Sequence, residues 1–128
     1  MRIGKSIWLA KRADNENATM AEYGTPTEII TRTNYLTIMP ASVRGYVEVL
    51  KSGETLYNTW IGVANSVALD GVFSVGDVVW LDGDAPIAEV EELYGNGASA
   101  TAVVESVEEA NRYINIRLKR RQSQVKNL

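Results

Sequence analysis

The alternation of apolar and polar residues restricts the fold of this chain more than any other feature of its sequence. In residues 113–119, aliphatic side chains alternate with polar or charged ones, and residues 43–50 show the same period of two. A period of two is typical of β-strands that bury one face and expose the other. The sequence therefore predicts a protein built mainly from half-buried strands.

Further β-rich segments, separated by turn signals, extend this prediction along the chain. The predicted strands are residues 5–12, 27–33 with a possible continuation to 38, 43–50, 55–64, 78–81, 101–108 and 113–119. Pro86 and the helical spacing of apolar residues after it predict one short helix over residues 86–94. The expected fold class is mainly β: a small antiparallel β-barrel, or a sandwich, of six to seven strands with one short helix and a long loop. A barrel is favoured over a sandwich because closure hides the strand edges.

The chain of 128 residues is predicted to form a single domain. That length is sufficient to bury a core without disulfides, and the β-barrel domain is expected over residues 1–118. Residues 13–42 are polar and mixed, and they are predicted to be a long loop or insertion with a possible strand at 27–38. Residues 119–128 contain four basic and no acidic residues, and they are predicted to be a basic C-terminal tail. Such a tail is either a solvated terminus or a docking element.

The charge distribution limits the kinds of partner that the protein is expected to bind. Sixteen acidic residues face thirteen basic ones, and removing the four basic residues of the tail leaves nine against sixteen, a net of −7 over residues 1–118. Domains that bind nucleic acid usually present a basic face, so an acidic body argues against direct, sequence-specific binding of nucleic acid. No apolar run approaches the ~20 residues needed to span a bilayer, and no membrane association is expected.

The chain contains neither cysteine nor histidine, which limits its chemistry. Disulfides, thiolate nucleophiles and imidazole bases are excluded, so we expect no enzyme, no catalytic residues, no cofactor and no metal site. The only carboxylate cluster comprises Asp82, Asp84, Glu89, Glu91 and Glu92. It lacks the ligand spacing of an EF-hand, and a solvated acidic turn is favoured over a calcium loop or an acid/base pair. The Gly95-Asn96-Gly97 segment is not followed by Lys and predicts a turn rather than a phosphate loop.

The aromatic residues admit two interpretations. They could form a stacking platform for single-stranded nucleic acid, or they could pack in the core and between subunits. Tyr57, Trp60 and Trp80 have no basic neighbour within two positions, which favours packing. The residues predicted to be largely buried are Trp60, Val79, Leu81, Val104, Ile114 and Ile116.

The order of these elements resembles a known family. A hairpin ending in Tyr57-Asn58-Thr59-Trp60 is followed by Phe73-Ser74-Val75-Gly76-Asp77-Val78-Val79-Trp80-Leu81 and by a terminal strand ending in Leu118-Lys119-Arg120-Arg121. This pattern, over most of the chain, is similar to that of the small β-barrel head-closure (stopper) and head-tail joining proteins of tailed bacteriophages. The acidic segment 82–94 and residues 13–42 are longer than that pattern requires.

The resemblance implies a structural virion protein of the phage neck, made in the bacterial host cytoplasm. It implies a homo-oligomeric ring, commonly of six copies, that docks between the portal-adaptor complex and the tail and helps to retain packaged DNA in its channel. Residues 13–42 would be the loop that reaches toward that channel. The alternatives are a tail terminator, minor capsid or decoration protein of the virion and, from another class, an oligonucleotide-binding β-barrel. The candidate assembly contacts are Tyr23, Tyr35, Met39, Arg120, Arg121 and Lys126.

Overall fold

A computed structural model describes residues 6–13, 22–40, 59–81 and 84–121, with only the backbone at Ala110. These residues form nine strands and two helices. The strands are β1 (Ser6–Ala10), β2 (Arg12–Ala13), β3 (Glu22–Tyr23), β4 (Thr27–Ile30), β5 (Thr37–Pro40), β6 (Thr59–Asn65), β7 (Val78–Trp80), β8 (Ala102–Ala110) and β9 (Tyr113–Arg120). The helices are α1 (Ser66–Leu69) and α2 (Ala88–Tyr94).

Seven of the strands form one antiparallel sheet in the order β4-β1-β7-β8-β9-β6-β5, while β2 and β3 form a separate two-stranded ribbon. The predicted mainly β, antiparallel fold class is therefore confirmed. Helix α2 occupies most of the segment predicted to be helical. The additional helix α1 is a single turn, which begins where the Asn65 side chain accepts a hydrogen bond from the Val67 backbone N–H at 2.8 Å. Asn is a favoured N-cap residue because its side-chain oxygen satisfies one of the free N–H groups of the first turn.

Residues 13–42 are not a long loop in the part that the structure describes, because β3, β4 and β5 lie within them. Nor do residues 27–38 form one strand. The carbonyl oxygen of Ile30 accepts hydrogen bonds from the side chains of Thr33 and Asn34, and the Leu36 N–H donates to the Thr31 carbonyl at 2.9 Å. The two side-chain bonds compete with the hydrogen bonds of a strand ladder, and the backbone bond closes the turn.

The turn between β4 and β5 joins the two opposite edges of the sheet. In a flat seven-stranded sheet, six spacings of about 4.8 Å would separate those edges by about 29 Å. The hydrogen bond between Thr31 and Leu36 brings the two strand ends far closer than that, so the sheet must curl. Among the described residues no ladder joins β4 with β5, and the curled sheet is open.

The main core lies on the inner, concave face of the curled sheet. It contains Ile29 of β4 and Leu36 of the turn, and Ile38 of β5 packs against it. Five of the six residues predicted to be buried are in it: Val79, Leu81, Val104, Ile114 and Ile116. Trp60 is only partly buried and packs against this core from its margin.

Three predicted features lie outside the described residues. They are the strand at 43–50, the turn at 51–54 and the first four residues of the strand at 55–64. The remainder of that last strand is β6, whose register with β5 places Pro40 opposite Trp60. Pro40 thus lies in an edge strand, where a residue without an N–H is tolerated.

Candidate docking surface

Among the described residues, the outer face of the sheet is divided into a covered half and a bare half. Over β1 and β7, a second cluster of buried side chains comprises Ala10, Val78, Trp80 and Ala100, with Trp8, Tyr23 and Val103 packed against it. Tyr23 belongs to the ribbon and Ala100 to the loop after α2, so non-sheet segments cover this half. We call it the covered half; Trp80 is fully buried there.

The bare half is the part of the outer face of β5, β6 and β9 that excludes Thr59, which is buried. The register aligns Met39 with Ile61 and Ile61 with Arg117 in one cross-strand row, and Thr37, Val63 and Asn115 form the adjacent row. Ile114, Ile116 and Leu118 point into the main core, so the residues between them point outward. All six residues of the two rows retain exposed surface. We define the bare half by these two rows.

Glu91 anchors the loop that covers Trp80. Its carboxylate accepts hydrogen bonds from the backbone N–H of Gly97 at 2.6 Å and of Ser99 at 2.8 Å, and from the Ser99 hydroxyl at 2.8 Å. The predicted solvated acidic turn is therefore wrong for Glu91, which satisfies loop N–H groups. Glu89 and Glu92 are exposed as predicted, whereas Asp82 lies outside the described residues.

The Ser99 hydroxyl links Glu91 to Trp80 and to the start of α2. The Ser99 oxygen that donates to Glu91 also accepts hydrogen bonds from Trp80 Nε1 and from the Ile87 backbone N–H, both at 3.0 Å. A hydroxyl oxygen has two lone pairs, and these two N–H donors occupy both of them. The arrangement holds the loop against Trp80 and leaves the oxygen no lone pair for nucleophilic attack.

Asp77 is buried and organises the turn before β7. Its carboxylate accepts from the backbone N–H groups of Arg12 and Ser74, both at 2.9 Å, and lies 2.6 Å from Lys11 Nζ. A buried carboxylate is tolerated when it is both paired and hydrogen-bonded. The Gly76-Asp77 turn that contributed to the family resemblance therefore ties the start of β7 to the ribbon.

Two of the predicted assembly contacts, Tyr23 and Arg121, meet each other instead. The Arg121 guanidinium lies over the Tyr23 ring, 5.6 Å from its centroid, and donates to the Gly97 carbonyl. Gly97 has φ +87°, and a Cβ there would lie 2.9 Å from the Tyr23 ring. Tyr23, Gly97 and Arg121 therefore contact one another within the subunit and complete the cover over this half of the sheet.

The predicted basic tail begins later than residue 119. Strand β9 continues to Arg120, whose guanidinium lies 5.1 Å from the centroid of the Trp60 ring, and the Arg121 N–H donates to the Thr101 carbonyl. Residues 119–121 are thus part of the domain, because the β8 ladder extends to Arg120. Lys126 lies outside the described residues.

Of the remaining predicted contacts, Tyr35 is exposed and Met39 is partly buried. Tyr35 is 73% exposed and has φ +52°, a left-handed conformation that is strained for a bulky side chain. Met39 lies in the central row of the bare half. Leu93 is 77% exposed although it has helical spacing from Val90, which is buried. Val90 is the one residue of α2 that is buried, and only the tertiary structure distinguishes it from Leu93.

Within the described part of the chain, no group of three or more carboxylates is placed to hold a metal ion. No helix there is long and apolar enough to cross a membrane. No family model matches the sequence, and no curated protein or solved structure matches it either.

Proposed function

We propose that this protein is a structural subunit that acts by docking, as a head-closure or head-tail joining component of the neck of a tailed phage. The observation that carries the docking role is the bare half, which presents Met39, Ile61 and Val63 beside Arg117. The covered half of the same sheet buries its outward residues under the ribbon and the loop after α2. Apolar residues on an accessible face are typical of interaction surfaces.

Tyr35 supports the same proposal. A left-handed φ costs a residue with a Cβ roughly 1–2 kcal/mol, and Gly or Asn would avoid most of that cost. The ring of Tyr35 is largely in solvent, so burial within the subunit does not offset the strain. Strained and exposed residues of this kind are characteristic of functional positions. We assign Tyr35 and Met39 to the surface that docks on neighbouring subunits or on the portal-adaptor and tail rings.

The neck assignment rests on the order of the elements and on the Gly-Asp turn before β7, which resemble those of the head-closure proteins. A tail terminator, minor capsid or decoration role uses the same kind of docking surface. Mass measurement distinguishes these roles when the protein is mixed separately with portal-adaptor and tail proteins of one phage. A neck component forms rings that bind both, while a protein that binds neither partner contradicts the neck assignment.

Hydrogen exchange on free and assembled protein tests the docking surface. We expect added protection at Tyr35 and Met39, and unchanged protection at Trp80, which is already buried. A Met39→Glu variant is expected to remain folded and to lose assembly. Val75→Glu is the matched control, because Val75 is 65% exposed but belongs to the turn before β7. Equal effects of the two substitutions would count against the bare half as the docking surface.

A second candidate function, oligonucleotide binding, is favoured by one contact. Trp60 has no basic neighbour in sequence, yet the fold places Arg120 over its ring. An aromatic ring beside a guanidinium is a combination found in single-strand binding sites. Titration of a labelled single strand at physiological salt tests this candidate. We expect weak binding from an acidic protein, and sub-micromolar binding that Arg120→Gln abolishes would favour the oligonucleotide-binding function.

A further inference from the structure

The loop after α2 contains the one Asn-Gly pair of the sequence, Asn96-Gly97. In such a pair the glycine backbone nitrogen can attack the asparagine side-chain carbon Cγ, because glycine has no Cβ to hinder the approach. The N–Cγ bond forms as the glycine nitrogen loses its proton. The Cγ–Nδ2 bond breaks, the amide nitrogen takes up a proton and leaves as ammonia, and a cyclic succinimide remains. Water then opens the ring at either carbonyl and gives aspartate or isoaspartate.

The fold requires glycine at the second position of this pair. Gly97 has φ +87°, and a Cβ there would lie 2.9 Å from the Tyr23 ring. A residue with a side chain would be both strained and overpacked at that position. Asn96, by contrast, is exposed to solvent. The packing of Gly97 therefore maintains a reactive sequence, and the residue that reacts is accessible to water.

The closed loop holds both reacting groups in other hydrogen bonds. The Gly97 N–H donates to a carboxylate oxygen of Glu91 at 2.6 Å. The attack requires this nitrogen to lose its proton, and the carboxylate beside it opposes a second negative charge. The Asn96 side chain is directed toward the ribbon, where its Nδ2 donates to the Tyr23 carbonyl at 3.4 Å. Glu91 thus restrains the nucleophile, and the ribbon restrains the group that it would attack.

We propose that Asn96-Gly97 is a deamidation site that Glu91 protects, and that the pair reacts when the loop after α2 opens. The rate of modification is then the rate of the unrestrained pair multiplied by the fraction of molecules with an open loop. The bonds from Gly97 to Glu91 and from the Arg121 guanidinium to the Gly97 carbonyl determine that fraction. The modification therefore reports the opening of the cover over Trp80.

Deamidation also prevents the loop from closing as before. Isoaspartate adds a methylene to the main chain before Gly97, so Glu91 and Arg121 cannot both keep their bonds to that residue. Aspartate leaves the main chain unchanged but adds a carboxylate beside the N–H that binds Glu91, and like charges repel. Each product should make the covered half easier to unfold. The reaction is a one-way chemical change of this loop, and it goes beyond the proposed docking role.

Mass spectrometry of the whole protein after incubation tests the proposal, because deamidation replaces an NH2 group by OH and changes the mass. The protein is incubated folded and in urea at the same pH, and the peptide that contains residue 96 is quantified. We expect the folded wild type to react more slowly than the unfolded chain. Glu91→Gln should raise the rate in the folded protein on the order of tenfold, the effect of weakening the bonds that close the loop.

Matched variants separate protection of the pair from a general effect of substitution. Glu92→Gln removes a charge from the exposed side of the same helix and should leave the rate unchanged. Asn96→Gln should abolish the modification of this peptide, since attack on its longer side chain forms a six-membered ring that closes more slowly. Arg121→Gln loosens the loop while leaving Glu91 in place, and should also raise the rate. It decides the test if Glu91→Gln does not fold by circular dichroism.

The possible results either support or overturn the proposal. Faster modification of the folded Glu91→Gln or Arg121→Gln protein, with the Glu92→Gln rate unchanged, supports protection by the loop. A lower urea midpoint for purified deamidated protein supports the one-way change. Equal rates in folded and unfolded wild type would overturn the protection. So would loop variants that fold and react no faster than Glu92→Gln.

Discussion

The covered half and the bare half belong to one sheet and have the same alternating strands, but their outward residues have different environments. Trp80 of the covered half is fully buried, whereas Met39 and Ile61 of the bare half retain exposed surface. The strands do not differ in pattern. Among the segments that the structure describes, the ribbon and the loop after α2 lie over one half and not over the other.

Because of this difference, we expect the covered half to contribute mainly to stability and the bare half mainly to docking. The loop over the covered half is itself secured by Glu91, Ser99 and Arg121, so its polar groups are satisfied within the subunit. Substitutions there should therefore change the free energy of unfolding. Substitutions on the bare half should lower the free energy of unfolding by less, since those side chains are only partly buried in the free subunit.

The largest expected effect is at Trp80. Trp80→Ala removes a fully buried aromatic side chain and its hydrogen bond to Ser99, and should lower the free energy of unfolding by about 3–5 kcal/mol. Ile61→Ala, which truncates a partly buried residue on the bare half, should cost less, about 1–2 kcal/mol. Urea unfolding of both variants gives the comparison. Equal losses would mean that the two halves are not energetically distinct.

The next largest effect tests how tightly the covered half is packed at Gly97. Gly97→Ala and Gly71→Ala both place a Cβ at positive φ, but only the Cβ at residue 97 meets the Tyr23 ring. Gly97→Ala should therefore be the more destabilising by about 1–3 kcal/mol, because of overpacking. Thermal or urea unfolding measures the difference. If the two losses agree, Tyr23 is not packed against Gly97 in solution.

Glu91 provides a smaller test of the same loop. Glu91→Gln weakens three hydrogen bonds to Gly97 and Ser99 and should lower the free energy of unfolding by roughly 1–2 kcal/mol. Glu92→Gln on the outer side of the same helix should change it by less than about 0.5 kcal/mol. Unfolding by urea distinguishes the two variants. A comparable loss at both positions would argue against Glu91 as the anchor of the loop.

The smallest expected effect is a gain in stability. Tyr35→Asn places a residue that tolerates left-handed φ at an exposed turn and should raise the free energy of unfolding by up to about 1 kcal/mol. Asn111 has φ +57° in another turn, so Asn111→Tyr is the reciprocal control and should be destabilising. If Tyr35→Asn is destabilising, the ring contributes contacts within the subunit and its assignment to docking is wrong.

Several parts of the fold could be predicted because they depend on local pattern. Alternation over residues 113–119 correctly indicated β9 and its buried aliphatics, and Pro86 with helical spacing indicated α2. The turn at residues 31–35 was missed because its hydrogen bonds come from Thr33 and Asn34 in a segment rich in β-branched residues. Its consequence, two strands at opposite edges of one sheet, is not a local property.

The residues named from the sequence as candidate assembly contacts have different environments in the structure. Tyr35 is exposed and Met39 is partly buried, whereas Tyr23 and Arg121 contact each other inside the subunit. The sequence neighbours of Trp60 did not reveal its basic contact, since Arg120 reaches the ring from the neighbouring strand β9, sixty positions away in sequence. Leu93 has the spacing of a core residue, and nothing local distinguishes it from Val90.

The sequence by itself determined that this chain forms an antiparallel, mainly β domain, because a period of two allows only one kind of half-buried element. It also determined the side-chain chemistry, since a chain without cysteine or histidine offers neither thiolates nor imidazoles. Only the tertiary structure decided which outward residues are covered and which are bare. That choice depends on where the ribbon and the loop after α2 fold back, and contacts between residues distant in sequence determine both positions.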